Sequence, residues 1–187
     1  MSEKKRWPRD EAMKVALQLQ WDLFKFCHKI EIAGSLRRER TDVGDIELLY
    51  VPRTADRLKP GDMFDQEQYS TADDLIDSWL KTGIVTKRLS VVGVATWGKE
   101  NKLAVHTASG IPVDFFSTDE SRWWTALVIR TGSAQTNIRL TTGAQRLGRH
   151  LHAYGSGVSE HGTLYPAKSE KDVFELCGIQ YLEPKNR

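Results

Sequence analysis

Ala33-Gly34-Ser35-Leu36-Arg37-Arg38, followed five residues later by Gly44-Asp45-Ile46-Glu47, is the stretch on which the reading of this chain turns. Ile30, Ile32 and Ala33 run into Gly34-Ser35, so a strand ends at a tight turn. Ile46, Leu48, Leu49, Tyr50 and Val51 form a second strand, bounded by Pro52. Residues two apart on a strand point to the same side, which sets the Asp45 and Glu47 carboxylates next to each other. Two carboxylates this close repel unless a cation lies between them, and hard oxygen ligands suit Mg²⁺.

A third acid, Asp114, interrupts the apolar strand Ile111-Pro112-Val113-Asp114-Phe115-Phe116, where a carboxylate is expensive unless paired or metal-bound. Gly34-Ser35 at a strand end leaves backbone N–H groups free to hold phosphate, and Arg37 and Arg38 add positive charge. Together these residues describe a site for a metal-bound nucleoside triphosphate.

Working outward, apolar positions at Ala12, Val15, Ala16, Leu19, Leu23 and Phe26 predict a helix from about Pro8 to His28. A loop rich in Pro, Gly and Asp is expected from Pro52 to about Tyr69, then a helix over 72–81 that stops at Gly83. Strands are predicted over 85–94, 103–107 and 112–116, with Asn101 and Gly110 in the turns. After Asp119 the character changes. Helices are expected over 123–129 and 137–151, a Gly/Ser loop over 152–162, and a short helix over 173–176 before Gly178. The fold class is α+β, with a boundary near residue 118 that separates 1–118 from 119–187.

The 187 residues can bury a core, and 40% hydrophobic with 28% charged residues is ordinary globular composition. No apolar run approaches a membrane span, and the charged start MSEKKRWPRD lacks a secretory apolar stretch, so a cytoplasmic location is expected. Cys27 and Cys177 make neither a disulfide framework nor a zinc spacing. The net charge of +2 conceals a polarity. From Ser121 to Ser159 there is no Asp or Glu, yet Arg122, Arg130, Arg139, Arg146 and Arg149 fall inside. From Pro60 to Leu80 the bias reverses, with Asp62, Asp65, Glu67, Asp73, Asp74 and Asp77 and no Lys or Arg. One face for a polyanion and one turned away from it, or simply two solvated faces, would give this pattern.

The order Gly34-Ser35, Asp45-x-Glu47 and a distant Asp114 resembles the nucleotidyltransferase superfamily that includes DNA polymerase beta. Ala33 to Arg38 with Val43-Gly44-Asp45-Ile46-Glu47-Leu48 is similar to the palm of family X polymerases. Thr131-Gly132-Ser133 with Asn137 resembles the start of that family's thumb, and Ser169 to Phe174 through Tyr181-Leu182-Glu183-Pro184 resembles its C-terminus. The resemblance implies a palm of mixed or antiparallel sheet over 1–118 and a small thumb over 119–187. It implies a DNA-directed DNA polymerase that adds dNMP from dNTP to a DNA 3′-hydroxyl, of gap-filling or repair type. Asp45 and Glu47 would bridge two Mg²⁺ ions, with Asp114 joining them on the catalytic one and Mn²⁺ able to substitute. Gly34, Ser35, Arg38 and Gly44 would hold the triphosphate, and Gly132 and Asn137 the sugar and base. Arg139, Arg146 and Arg149, on the thumb helix, would lie along the DNA backbone. The implied partners are dNTP and primer-template or gapped DNA, met by a monomer and no membrane.

This sequence departs from the family in places. Glu47 stands where the polymerases usually have Asp. Ile129-Arg130 replaces the Tyr-Phe usual in repair polymerases, which predicts weaker selection against ribonucleotides, with Arg130 free to swing towards phosphate. Ala134 and Ile138 also differ from the residues that stack near the nascent base pair. The 33 residues ahead of Gly34 leave no room for a lyase domain or helix-hairpin-helix segment, as in the very small viral polymerases of the family. A template-independent terminal transferase and a catalytically weak nucleic-acid-binding protein are the competing readings. Trp123-Trp124 is read as packing, and His150-x-His152 as basic surface and not a metal site.

Overall fold

The computed structural model describes residues 5–58, 65–90, 93–153, 155 and 157–187. Strand β1 (Trp7–Pro8) leads into helix α1 (Arg9–Phe24), whose Ala12, Ala16, Leu19 and Leu23 form one buried face. Strand β2 (Cys27–Ile32) and the four-residue helix α2 (Gly34–Arg37) follow, then β3 (Asp42–Val43) and β4 (Ile46–Pro52). Next come β5 (Thr54–Leu58), β6 (Gln66–Ser70) and α3 (Thr71–Thr82). Helix α3 is capped by the Ser70 hydroxyl, which accepts from Asp73 N at 3.1 Å, and is ended by Gly83 at φ 77°. Strands β7 (Val85–Lys87), β8 (Asn101–His106) and β9 (Pro112–Ser117) complete the first half.

The main sheet has the order β2-β4-β9-β8-β7. The β4–β9 pair is parallel and the other pairs are antiparallel, a mixed sheet as expected. Ile46, Leu48, Tyr50, Val113 and Phe115 face a core closed by α1 and α3. The opposite face carries Leu49, Val51 and Phe116, which are covered by Trp123 and Leu127 of α4 (Trp123–Thr131). Val128 of the same helix belongs to a separate core with Leu140 and Ala144 of α5 (Ala134–Arg146). Strands β10 (His150–Leu151), β11 (Gly157–Glu160) and β12 (Thr163–Pro166) and helix α6 (Glu170–Leu176) complete this second half. Among the described residues, no helix is long and apolar enough to cross a membrane.

Several local expectations change. The predicted loop before Tyr69 contains the β5–β6 pair, and within the predicted 152–162 loop β11 is the middle strand of a three-stranded antiparallel sheet. Helix α5 starts at Ala134, because Ser133 caps it, and ends at Arg146 ahead of Gly148 at φ 71°. Strand β7 stops at Lys87, where a strand to Val94 was expected, and residues 91–92 lie outside the described residues. So do Asp62 of the acidic run and residues 154 and 156 of the Gly/Ser stretch. The rest of that acidic run is largely spent inside the first half. Asp73 accepts from Tyr50 Oη at 2.6 Å and Lys102 Nζ at 2.8 Å, and Asp77 accepts from Trp97 Nε1 at 2.8 Å.

A buried ionic cluster fastens the two halves. Glu170 receives Arg37 Nη1 at 2.5 Å from the first half and Arg187 Nη2 at 3.1 Å from the second. Arg40 Nη2 donates to the Arg187 carbonyl at 2.7 Å. Burial pushes the Glu170 carboxyl up, but its hydrogen bonds from Arg37 and Arg187 win and hold it below its ordinary value of 4.5. Breaking one member of such a buried cluster strands the others, a loss of about 3 kcal/mol. Glu170→Gln should therefore lower the thermal midpoint by about 6–12 °C at neutral pH. The lowered carboxyl contributes stability that is present above the unfolded-state value and lost as pH falls through the folded one. The gap between wild type and variant in urea unfolding should thus narrow as pH drops below the ordinary carboxylate range. A gap constant with pH would show that the Glu170 charge is not what stabilises the junction.

Candidate active site

The alternation of β4 sends Ile46, Leu48 and Tyr50 into the core and leaves Glu47 on the other face. In the parallel β4–β9 pair Glu47 is in register with Asp114, so the two acids share that face, at the end that α4 leaves uncovered. Asp45 immediately precedes β4. The acidic triad of the sequence is thus brought to one end of one sheet face. Its electrostatics show in Glu47, whose carboxyl is pushed up to about 8, first by burial and then by the charges of Asp45 and Asp114. Arg130 and Arg38 pull in the other direction without offsetting this.

The Glu47 side chain folds over Gly34, where a Cβ would lie 1.7 Å from Glu47 Oε2. Gly34 also has φ 62°, so both space and backbone require glycine. Asp114 is met by the Arg88 guanidinium, a partner that nothing in the sequence pointed to. Among the described residues, no three acid, His or Cys side chains are gathered closely enough to form a ready metal cluster. The donor set itself fits Mg²⁺. It offers hard carboxylate oxygens, and burial together with the charges of Asp45 and Asp114 favours a proton on Glu47 that a divalent cation would displace.

Beside the acids, Arg6, Ser35, Arg38, Gly44, Asp45 and Glu47 line a cavity of about 340 Å³. Ser35 Oγ and Arg38 Nε are buried there without a hydrogen-bond partner, the state of groups that await a polar ligand. Burial lowers the Arg38 pKa, and the Glu47 charge opposes this. Arg6, held to Asp42 at 2.8 Å, is a cation of this cavity that sequence reasoning missed, since it precedes the first helix and lies far from the motif. Arg37, expected to add charge to the phosphate site, turns away. Its Nη1 reaches Thr131 Oγ1 at 2.8 Å and Glu170.

The second half meets this cavity through Arg38, whose Nη1 donates to the Thr131 carbonyl and lies 3.2 Å from where a Cβ on Gly132 would be. Asn137 Nδ2 donates to the Ile129 carbonyl at 2.9 Å, while its Oδ1 is buried and unpartnered. Ile129 packs against the core of the second half. Arg130 does not swing free as expected; it stacks 3.6 Å from the centre of the Phe116 ring.

Arg139 and Arg146 are exposed on α5, as a backbone-binding role requires. Arg149 differs from the expectation. It lies beyond the end of α5 and bonds Glu160 at 3.2 Å and the Leu176 carbonyl at 3.1 Å, because Gly148 turns the chain back into the fold. Trp123 is buried as packing, with Lys29 Nζ 5.7 Å from its ring centre. His152 Nε2 pairs with Ser159 Oγ at 2.8 Å and stands edge-on to His150.

Comparison with known proteins adds to this geometry. Residues 6–111 match the family model described as DNA polymerase beta palm, and residues 126–187 match the one described as DNA polymerase beta thumb. The chain is 28% identical to DNA polymerase lambda of Rattus norvegicus over 97% of its own length and 33% of that protein's. It is 26% identical to DNA polymerase/3'-5' exonuclease PolX of Bacillus subtilis (strain 168), over 97% of its own length and 28% of the relative's. The chain therefore spans about a third of these relatives. With the palm match covering more than half of the sequence and the thumb match following it, this chain belongs to the DNA polymerase beta palm family.

Proposed function

We propose that the chain is a DNA-directed DNA polymerase of gap-filling type, which transfers dNMP from dNTP to a DNA 3′-hydroxyl. The observation that carries this reading is the register of Glu47 with Asp114 beside Asp45, next to a cavity whose buried Ser35 and Arg38 atoms lack partners. Asp45, Glu47 and Asp114 would hold two Mg²⁺ ions, which activate the 3′-hydroxyl and stabilise the departing pyrophosphate. Ser35 donates to, and Arg38 neutralises, the triphosphate, with the Gly44 backbone assisting and Arg6 at the cavity edge. Gly132 and Asn137 position the incoming nucleotide, whose approach links the two halves through Arg38. Residues 1–118 serve as palm and 119–187 as thumb, with α4 shared between their cores. Arg139 and Arg146 contact DNA phosphates, and Arg149 braces the thumb.

Asp45→Ala and Asp114→Ala should each reduce primer extension more than about a hundredfold, equivalent to about 3 kcal/mol of barrier. DNA affinity should change little, because the thumb arginines grip the phosphates. Extension assays with Mg²⁺ and labelled dNTP, with and without a template strand, decide the matter. More than about one percent residual activity in either variant would remove the acid concerned from the site. Template-free tailing would favour a terminal transferase, and wild-type inactivity a binding protein.

Neutralising Arg139 and Arg146 together should weaken binding alike for all DNA sequences and reduce the slope of log affinity against log salt by up to about two units. Arg149→Ala should leave the slope unchanged and lower thermal stability instead. Salt titrations by fluorescence anisotropy test both, and an unchanged slope in the double variant would make α5 a solvated face only.

A further inference from the structure

Arg88 stands just past β7, the edge strand of the main sheet, and β8 separates that strand from the β9 that carries Asp114. Its backbone N–H donates to the Leu103 carbonyl at 2.9 Å, and Leu103 is in register with Asp114. From there the side chain reaches across β8, so that Nη2 pairs with Oδ1 of Asp114. The pair is poorly solvated, with 25% and 13% of the two side chains exposed. One donor is left over. Arg88 Nε is buried without a hydrogen-bond partner, and an unpaired buried N–H is costly. The guanidinium thus has capacity for a second acceptor beside Asp114, and its planar fork suits a phosphate.

The two flanks of the acids differ. The Ser35–Arg38 cavity is built from α2 and the turn ahead of β4, whereas Arg88 approaches from the β7 side. Phosphoryl transfer sets the attacking oxygen and the leaving group roughly in line, on opposite sides of the phosphorus. With pyrophosphate departing into the Ser35–Arg38 cavity, the primer 3′-hydroxyl enters from the flank of Arg88. The phosphate nearest to that hydroxyl is the one joining the last two primer nucleotides, and it carries a negative charge. Arg38 lines the cavity and Arg130 is stacked on Phe116, so it is Arg88 that is placed to receive this charge.

We infer that Arg88 is a positioning residue with two successive partners. In the free protein it holds Asp114; when a primer arrives it turns to the terminal internucleotide phosphate and leaves Asp114 to the divalent cation. This rests on the polymerase reading of the site and adds to it a receptor for the primer end. It also couples DNA arrival to metal loading, by competition. A guanidinium on Asp114 Oδ1 blocks a ligand atom and repels a second cation, and a phosphate that draws Arg88 away removes both obstacles.

Two binding measurements on the whole chain test this. In the first, primer-template affinity is compared for primers whose last internucleotide linkage is either the normal phosphodiester or an uncharged methylphosphonate. Wild type should bind the neutral primer about tenfold more weakly, the worth of one charge-assisted hydrogen bond. Arg88→Gln should bind the normal primer that much more weakly and be indifferent to the linkage, and Arg88→Lys should keep part of the sensitivity. In the second, Mn²⁺ binding to the DNA-free protein is followed by electron paramagnetic resonance, with Asp114→Asn as the blank. Arg88→Gln should bind Mn²⁺ about tenfold more tightly than wild type, since the competing cation is gone. A wild type indifferent to the neutral linkage overturns the phosphate assignment without recourse to a variant, as does equal sensitivity in wild type and Arg88→Gln. Mn²⁺ affinity unchanged by Arg88→Gln overturns the competition for Asp114. Primer extension by the wild type separates these failures from that of the reading beneath them. Extension without the linkage effect overturns the role of Arg88 alone, whereas no extension overturns the polymerase reading and this proposal with it.

Discussion

Three carboxylates held at one end of one sheet face impose the constraint around which this molecule is arranged. The parallel register of β4 with β9 sets Glu47 against Asp114, and the turn at Gly44 adds Asp45. Burial and mutual repulsion make full ionisation of the group unfavourable, as the elevated Glu47 carboxyl shows. Neighbouring features answer that strain. Arg88 leans on Asp114, Arg130 and Arg38 direct positive charge at Glu47, and Gly34 gives up its side chain so that the Glu47 carboxyl has a place to lie. Glutamate brings one more methylene than aspartate, and the glycine surface accommodates its reach.

The second half is joined to this centre by a short piece of chain. Helix α2 begins with the glycine under Glu47 and ends with Arg37 bound to Thr131 and Glu170, while Arg38, just after it, reaches the Thr131 carbonyl. Adjacent residues therefore line the candidate cavity and join the two halves. The buried Glu170–Arg187 pair gives Arg37 a fixed target, and the stacking of Arg130 on Phe116 adds a second point of attachment.

Much of this was legible in the sequence, for physical reasons that also explain where legibility ended. Helices α1 and α3 each bury one regular face, and β4 and β9 are apolar on both sides, so these elements show in the sequence. Strands β5 and β12 are almost wholly exposed and bury no alternating face, so their sequences read as loop. The acids stood out because period two and an apolar strand make carboxylates conspicuous. Their counter-ions did not. Arg88 is 26 residues from Asp114, and nothing local distinguishes it from other surface arginines. Nor could composition tell which of Arg37 and Arg38 faces the cavity, since that depends on the pitch of a single helical turn. Arg149 falls at helical spacing within a basic run, but Gly148 at φ 71° ends that run's helix before it.

That single turn sets a limit on how the protein can change. From Gly34 to Arg38 each position has a different neighbour, namely the Glu47 carboxyl, the cavity, the core, the Glu170 cluster and the Thr131 carbonyl. Inserting or deleting one residue here rotates everything downstream by about 100°. An insertion would carry Arg37 to the cavity and Leu36 to the junction, and a deletion would carry Arg38 to the junction and Arg37 into the core. Substitutions in this segment can be accommodated one at a time, but its length cannot drift. Lineages descended from this chain should vary in their exposed hairpins and keep this five-residue interval fixed.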